Sequence, residues 1–315
     1  MAFVTGNANS LADLLTAINN ACTANGYTLN GNILSKGTLH VSMEIASSQL
    51  RITGGTGRSG TTLLGPGPQY AKIGPTTQVN MVFPVTYHIH ILTAPDEVYV
   101  MINYNAVYWN FIAFGQSDHP GIAAAGGTGN WYGATHPQPG VMSGEVVVAA
   151  NGGGGGFGLA GGAGVRTGAG LFNGTSGWTT SNYATNCLIH SGLNPGNGGW
   201  NDPAVSPSSG LYGVNAIQYQ EPMLAYLPNA WNAQTVLVPI CVTSLAASSK
   251  SQVVAELRHA RYLRNDNYND IDIITIGSDQ WRVYPYYRKD ASARNGGSLI
   301  LHSGTFAHAI RYDGP

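Results

Sequence analysis

The sequence predicts a mainly β protein of antiparallel, sandwich-like sheets, with an N-terminal helix, one helix in the C-terminal half and a long glycine-rich loop or arm. Three observations predict it. Runs rich in Val, Ile, Tyr and Phe recur between Thr38 and Phe114 and again between Thr235 and Arg311, some alternating apolar and polar. Two segments carry an apolar stripe at helical spacing. Glycine, at 43 of 315 residues, has about twice its usual share, and much of it sits in one stretch.

The first helix spans residues 10 to 25. Leu11, Leu14, Leu15, Ile18 and Cys22 form one apolar stripe, Ser10 with Asp13 makes a capping pattern, and Gly26 supplies the stop. Strand signals follow at Thr38–Ala46 and Gln49–Thr53, then a tight glycine loop at Gly54–Gly60. Val79–Leu92 and the alternating stretch Val98–Tyr104 flank Pro95-Asp96, which predicts an antiparallel hairpin, and Val107–Phe114 continues the sheet. Seventeen of residues 151 to 200 are glycine. Glycine loses the most entropy on ordering, so this stretch is expected to be an arm that docks on a neighbour, or a linker. Strands resume in 211 to 244, notably Thr235–Thr243. Ser251–Arg264 is expected to be the second helix, with Val253, Val254, Leu257 and Ala260 on one face. Ile271–Ile276, Gln280–Tyr287, Ser298–His302 and Thr305–Arg311 read as closing strands. The expected organisation is an N-terminal helix plus β region (1–150), the arm (151–200), and a C-terminal β region (201–315) packing with the first as one domain.

Charge sets the expectations for function. Asp, Glu, Lys and Arg make up 9% of the chain, against about 25% in an ordinary soluble protein. Residues 73 to 165 hold no Lys or Arg, and the net charge is −1, so nothing draws the chain generally to nucleic acid or to an anionic membrane. Such a surface suits burial against other subunits, because charge is depleted at interface cores. Cys22, Cys187 and Cys241 lie far apart and form no metal or redox motif, so free thiols are expected. No signal peptide and no long apolar run are visible, so no membrane span is expected.

Catalytic motifs are weak. Gly55–Gly60 has the letters of a dinucleotide loop, but Thr61–Pro66 follows where a helix should open, and the next acid is Asp96. Ser117-Asp118-His119 adjoin in sequence, which seldom builds a nucleophilic triad. His88 and His90 share one strand face and could bind a metal or join strands. Asp270 and Asp272 could hold a cation or belong to a polar turn. The expectation is a protein that is not an enzyme, with no cofactor and no assigned metal. The aromatics offer a different chemistry: Gly129–Gly133 reads as an exposed loop presenting Trp131 and Tyr132, and with Trp178 and Trp200 these residues are candidate contacts for a partner or a glycan.

Several stretches combine into a resemblance. Asn25–Gly37, Leu50–Gly57, Tyr87–His90, Asp96–Asn105, Ala113–Ser117, Gly129–Ala134, His302–Phe306 and Ile310–Pro315 together resemble virion structural proteins from the tail modules of tailed bacteriophages. The resemblance covers most of the chain in patches but omits 151–200. It implies a tail, baseplate or tail-tip component, made and assembled in the bacterial host cytoplasm and resident in the virion. It implies a ring-like homo-oligomer that docks to other tail proteins. The alternative is a receptor-binding virion protein that recognises a host-surface carbohydrate.

Overall fold

The computed structural model describes residues 1–74, 80–135, 147–148, 165–166, 171–172, 187–201, 214–215, 220–224, 226–245, 251–294 and 302–314. Antiparallel strands dominate, as the alternating runs predict.

The helix is Leu11–Ala24. The Ser10 hydroxyl caps it by accepting from the Asp13 N–H, while the Asp13 carboxylate accepts from the Asn9 N–H. Leu14, Ile18 and Cys22 are buried, and Leu11 and Leu15 pack at the rim of the same core.

Three sheets form three layers. The middle one has seven strands in the order Ala2–Ala8, Val85–Leu92, Glu97–Tyr104, Tyr108–Gln116, Asn130–Ala134, Cys187–His190 and Trp200–Asn201. Its centre is apolar on both faces, as a sheet covered on both sides must be. On one face lies a five-stranded sheet, Thr28–Asn30, Ile33–Lys36, Leu39–Ala46, Gln49–Gly55 and Ala71–Ile73, with the helix beside it. Tight hairpins set its register: Ser47 and Ser48 both take positive φ, the backbone a two-residue turn needs to match strand twist. On the other face lies a six-stranded sheet in the order Val214–Asn215, Val238–Leu245, Ser251–Arg264, Phe306–Arg311, Asp279–Pro285 and Ile273–Ile276. One continuous cluster of buried side chains runs from Ala8 to Ile310 through all three layers.

Close approach between layers is allowed by Gly54. A Cβ there would sit 2.5 Å from Tyr132 Cδ1 and 2.9 Å from Trp200 Cη2. The expected glycine loop therefore begins as strand: Gly54 and Gly55 end Gln49–Gly55, and Gly57–Ser59 pairs with Thr62–Leu64.

Two expectations are corrected. Ser251–Arg264 is a fourteen-residue strand, not a helix. Its pairing with Val238–Leu245 is broken twice, between Val242 and Thr243 and between Pro239 and Ile240. Each break inserts unpaired residues and shifts the in–out alternation, so the apolar side chains fall three or four apart and imitate a helical stripe. Among the described residues, the α-helix in this half of the chain is a short one, Glu221–Leu224. The arm is corrected at its C-terminal end: Cys187–His190 and Trp200–Asn201 complete the middle sheet, and Leu171 and Phe172 are buried. The apolar run Cys-Leu-Ile-His outweighs the entropy cost of the neighbouring glycines, because all four residues bury. Val165–Arg166 pairs with Val147–Val148, and the remainder of 151–186 lies outside the described residues, as does most of the expected strand Ser298–His302.

Candidate functional site

The densest polar chemistry lies between the middle and six-stranded sheets. Because strand residues two apart share a face, Val85–Leu92 turns His88 and His90 toward Tyr284 of Asp279–Pro285. His90 Nδ1 lies 3.1 Å from the Arg311 carbonyl, which can only accept, so that nitrogen carries the proton. His90 Nε2 then accepts from the Tyr284 hydroxyl at 2.8 Å, and the same oxygen accepts from His88 Nδ1–H at 3.0 Å. Phe3 packs edge-on against both imidazoles, and Arg282 stacks over Phe3 and Tyr312, 4.6 and 3.9 Å from the ring centres. Burial first, and the nearby Arg282 charge for His88, lower the imidazole pKa values to about 4 for His88 and about 3 for His90. The pair is a neutral clamp between layers.

A second junction centres on Glu97, which is fully buried. Its carboxylate accepts from the Tyr99 hydroxyl at 2.7 Å, the Arg258 N–H at 2.9 Å and the His259 N–H at 3.0 Å. Arg258 and His259 lie where pairing between Pro239 and Ile240 skips, so Glu97 satisfies backbone donors that the sheet leaves unpaired. Desolvation is the largest influence on Glu97 and raises its pKa to about 7, with the three hydrogen bonds pulling the other way. Nearby, the Ser117 hydroxyl exchanges hydrogen bonds with the Glu256 backbone, and Asp118 pairs with Arg258 at 3.1 Å. Ser117 and Asp118 thus fasten the same strand.

The remaining sequence-selected residues are dispersed. Asp270 accepts from the Trp109 indole at 2.8 Å, and Asp272 accepts from the Asn269 N–H, so the two acids hold a polar turn ahead of Ile273–Ile276. Among the described residues no three His, Cys, Asp or Glu side chains gather as a metal site. Trp131 and Tyr132 are not on an exposed loop. They belong to strand Asn130–Ala134, both are fully buried, and so is Trp200. Trp131 meets Tyr99 and Phe172, while Tyr132 and Trp200 pack against each other facing the five-stranded sheet. The flanking glycines Gly129 and Gly133 had marked the stretch as a loop, but alternate side chains facing two covered layers require large aromatics here. These three residues offer no face to a glycan or a partner, and Trp178 lies outside the described residues.

Sequence reasoning passed over the aromatic that is displayed. Trp231 is 96% exposed on the turn Asn229–Gln234, with Tyr226 at 64% and Leu227 at 57% beside it. A signal was present: Asn-Ala-Trp-Asn-Ala pairs turn residues with a tryptophan inside a stretch, 222 to 249, that contains no charged residue. The six-stranded sheet also ends on an uncharged edge, Ile273–Ile276, with Ile273 42% and Ile276 53% exposed. No helix among the described residues is long and apolar enough to cross a membrane. Compared with known proteins, the chain matches no family model and no curated sequence.

Proposed function

We propose that the chain is a structural subunit of a bacteriophage virion, a tail, baseplate or tail-tip component that assembles with copies of itself and docks to other tail proteins. The observation that carries the reading is the surface: large apolar side chains, Trp231 foremost, stand exposed on a chain with only 9% charged residues. A free-standing protein gains nothing from such groups in water, whereas a subunit buries them on assembly. The polar groups inside support the same reading, since His88, His90, Tyr284 and Glu97 are engaged in holding layers together.

The test is electron microscopy of the purified protein and of particles carrying it with a C-terminal tag. Tag label on the tail or baseplate, or ordered oligomers of the isolated protein, is the expected result. Unlabelled particles together with a lasting monomer would sink the proposal.

A further inference from the structure

We infer that Arg51 and Lys72, on the outer face of the five-stranded sheet, form a binding site for a dianionic phosphate group, free or carried as a monoester on a sugar. The inference goes beyond the proposed assembly and holds for a single copy of the chain.

Charge in this part of the chain is one-sided. From Ile45 to Pro95 the sequence has no Asp or Glu, yet it has Arg51, Arg58 and Lys72. Strand residues two apart share a face, so Leu50, Ile52, Ala71 and Ile73 are buried in the core while Arg51 and Lys72 belong to the outer face. The antiparallel register of Gln49–Gly55 and Ala71–Ile73 sets Arg51 directly opposite Lys72. Like charges so placed repel, whereas opposite charges there would stabilise the pair. Glu44, the partner of Arg51 on its other side, is exposed and makes no ion pair with it.

Neither cation is neutralised within the described residues. Lys36 pairs with Asp96, and the Lys289 ammonium donates to the carbonyls of Asp266 and Tyr268, but Lys72 has no hydrogen-bond or ion-pair partner among them. Arg51 donates to the Ser47 hydroxyl at 3.3 Å, and its Nε–H is buried without an acceptor. Both cations lie over the Tyr70 ring, the guanidinium 4.4 Å and the ammonium 5.8 Å from its centre. One cation on a ring is ordinary surface packing, but a second beside it brings repulsion. Partial burial first, and the Arg51 charge second, hold the Lys72 amine below its ordinary pKa. A bound anion offsets both.

The ring is fixed from behind. The Tyr132 hydroxyl donates to the Gln69 carbonyl, the Trp200 indole to the Gly65 carbonyl at 3.0 Å, and the Gly67 N–H to the Gly54 carbonyl at 2.9 Å. Pro66 and Pro68 stiffen the same stretch. Stacking on a fixed ring orients the guanidinium plane, so less freedom is lost when its N–H groups meet an oxyanion. Two adjacent positive charges match a phosphomonoester, with a charge of about −1.5 to −2 at pH 7, better than a singly charged carboxylate. Arginine offers such a group a planar fork, and lysine a point charge.

The test measures how fast an N-hydroxysuccinimide ester acylates each lysine of the intact protein at constant ionic strength, with sodium chloride, inorganic phosphate, glucose phosphate or glucose added. Phosphate and glucose phosphate should slow the labelling of Lys72 in a saturable way and leave Lys36 and Lys289 unchanged, and glucose should have no effect. Arg51→Gln, its fold verified by circular dichroism, should weaken this protection on the order of 10-fold, the loss of one charge-assisted contact. Calorimetry of phosphate binding to Lys72→Gln should show a similar loss, so the site stays testable if one variant does not fold. Tighter protection by glucose phosphate than by phosphate assigns the site to phosphorylated sugars, and the reverse order to free phosphate; either supports the inference. Protection that chloride matches, or that spreads to all three lysines, would mean an adventitious ion only and overturn it. Lys72 labelled at one rate in every condition, or protection undiminished in Arg51→Gln, would overturn it as well.

Discussion

One phenolic oxygen serves two imidazoles in this protein, so the junction between its two larger sheets depends on Tyr284. Tyr284→Phe keeps the ring that packs against His88, His90 and Trp109 and removes only the hydroxyl. His90 Nε2 would lose its donor and His88 Nδ1–H its acceptor. Each buried polar group left without a partner costs about 1–3 kcal/mol, so the substitution should destabilise the fold by about 2–4 kcal/mol. Urea unfolding at neutral pH measures it, and a change below about 0.5 kcal/mol, the range of an incidental surface substitution, would mean that the hydroxyl does not link the layers. Spacing alone placed His88 and His90 on one face. Their partners, Tyr284 and Arg311, lie some two hundred positions later, and no local pattern connects them. The same holds for Glu97, whose role comes from an irregularity in a distant strand.

At the scale of elements, the approach of the five-stranded sheet to the middle sheet turns on Gly54. Gly54→Ala forces a methyl against the rings of Tyr132 and Trp200, both locked between layers and unable to swing away. Overpacking of this kind typically costs about 1–3 kcal/mol, and a thermal melt should fall accordingly. A melt unchanged from wild type would show that the layers separate without cost at this point. Local signals made some elements readable: the cap at Ser10 and the stripe through Ile18 define the helix, and the alternation of Val98–Tyr104 behind Pro95-Asp96 defines the hairpin. Ser251–Arg264 was not readable, because its breaks in pairing shift the phase of the alternation, and phase is the only cue that separates strand from helix there. Trp131 and Tyr132 were misplaced because their glycine flanks look like turns, while the two layers that bury them come from other parts of the chain.

The whole molecule's response to pH follows from which ionisable groups folding removes from water. His88, His90 and His308 are held neutral, with pKa values lowered to about 4, 3 and 3, chiefly by burial, and burial lowers His190 and His259 too. The stability associated with these neutral imidazoles is present above the unfolded value of about 6.5 and is lost as the pH falls, because the unfolded chain takes up protons that the folded one refuses. Glu97 acts in the opposite sense. Its pKa of about 7 in the fold exceeds the unfolded value of 4.5, so the folded chain binds the proton more tightly and gains stability as the pH drops from 7 toward 4.5. Near pH 7 the unfolded imidazoles and the folded Glu97 take up protons over the same range, so their contributions largely cancel there. Below pH 6.5 His88, His90 and His308 by themselves oppose the one carboxyl, a net two protons favouring the unfolded chain, and His190 and His259 act in the same sense. At about 1.4 kcal/mol per proton and pH unit, stability should fall by on the order of 3 kcal/mol per unit. Urea midpoints measured from pH 8 to pH 4 should therefore be nearly level down to neutrality and drop steeply on the acid side. In Glu97→Gln the opposing carboxyl is gone, so the decline should begin nearer pH 7 and the acid limb should steepen. A profile flat from pH 6 to pH 4 would mean that the imidazoles are charged in the fold, and the clamp around Tyr284 could not then have the proton arrangement derived from the Arg311 carbonyl.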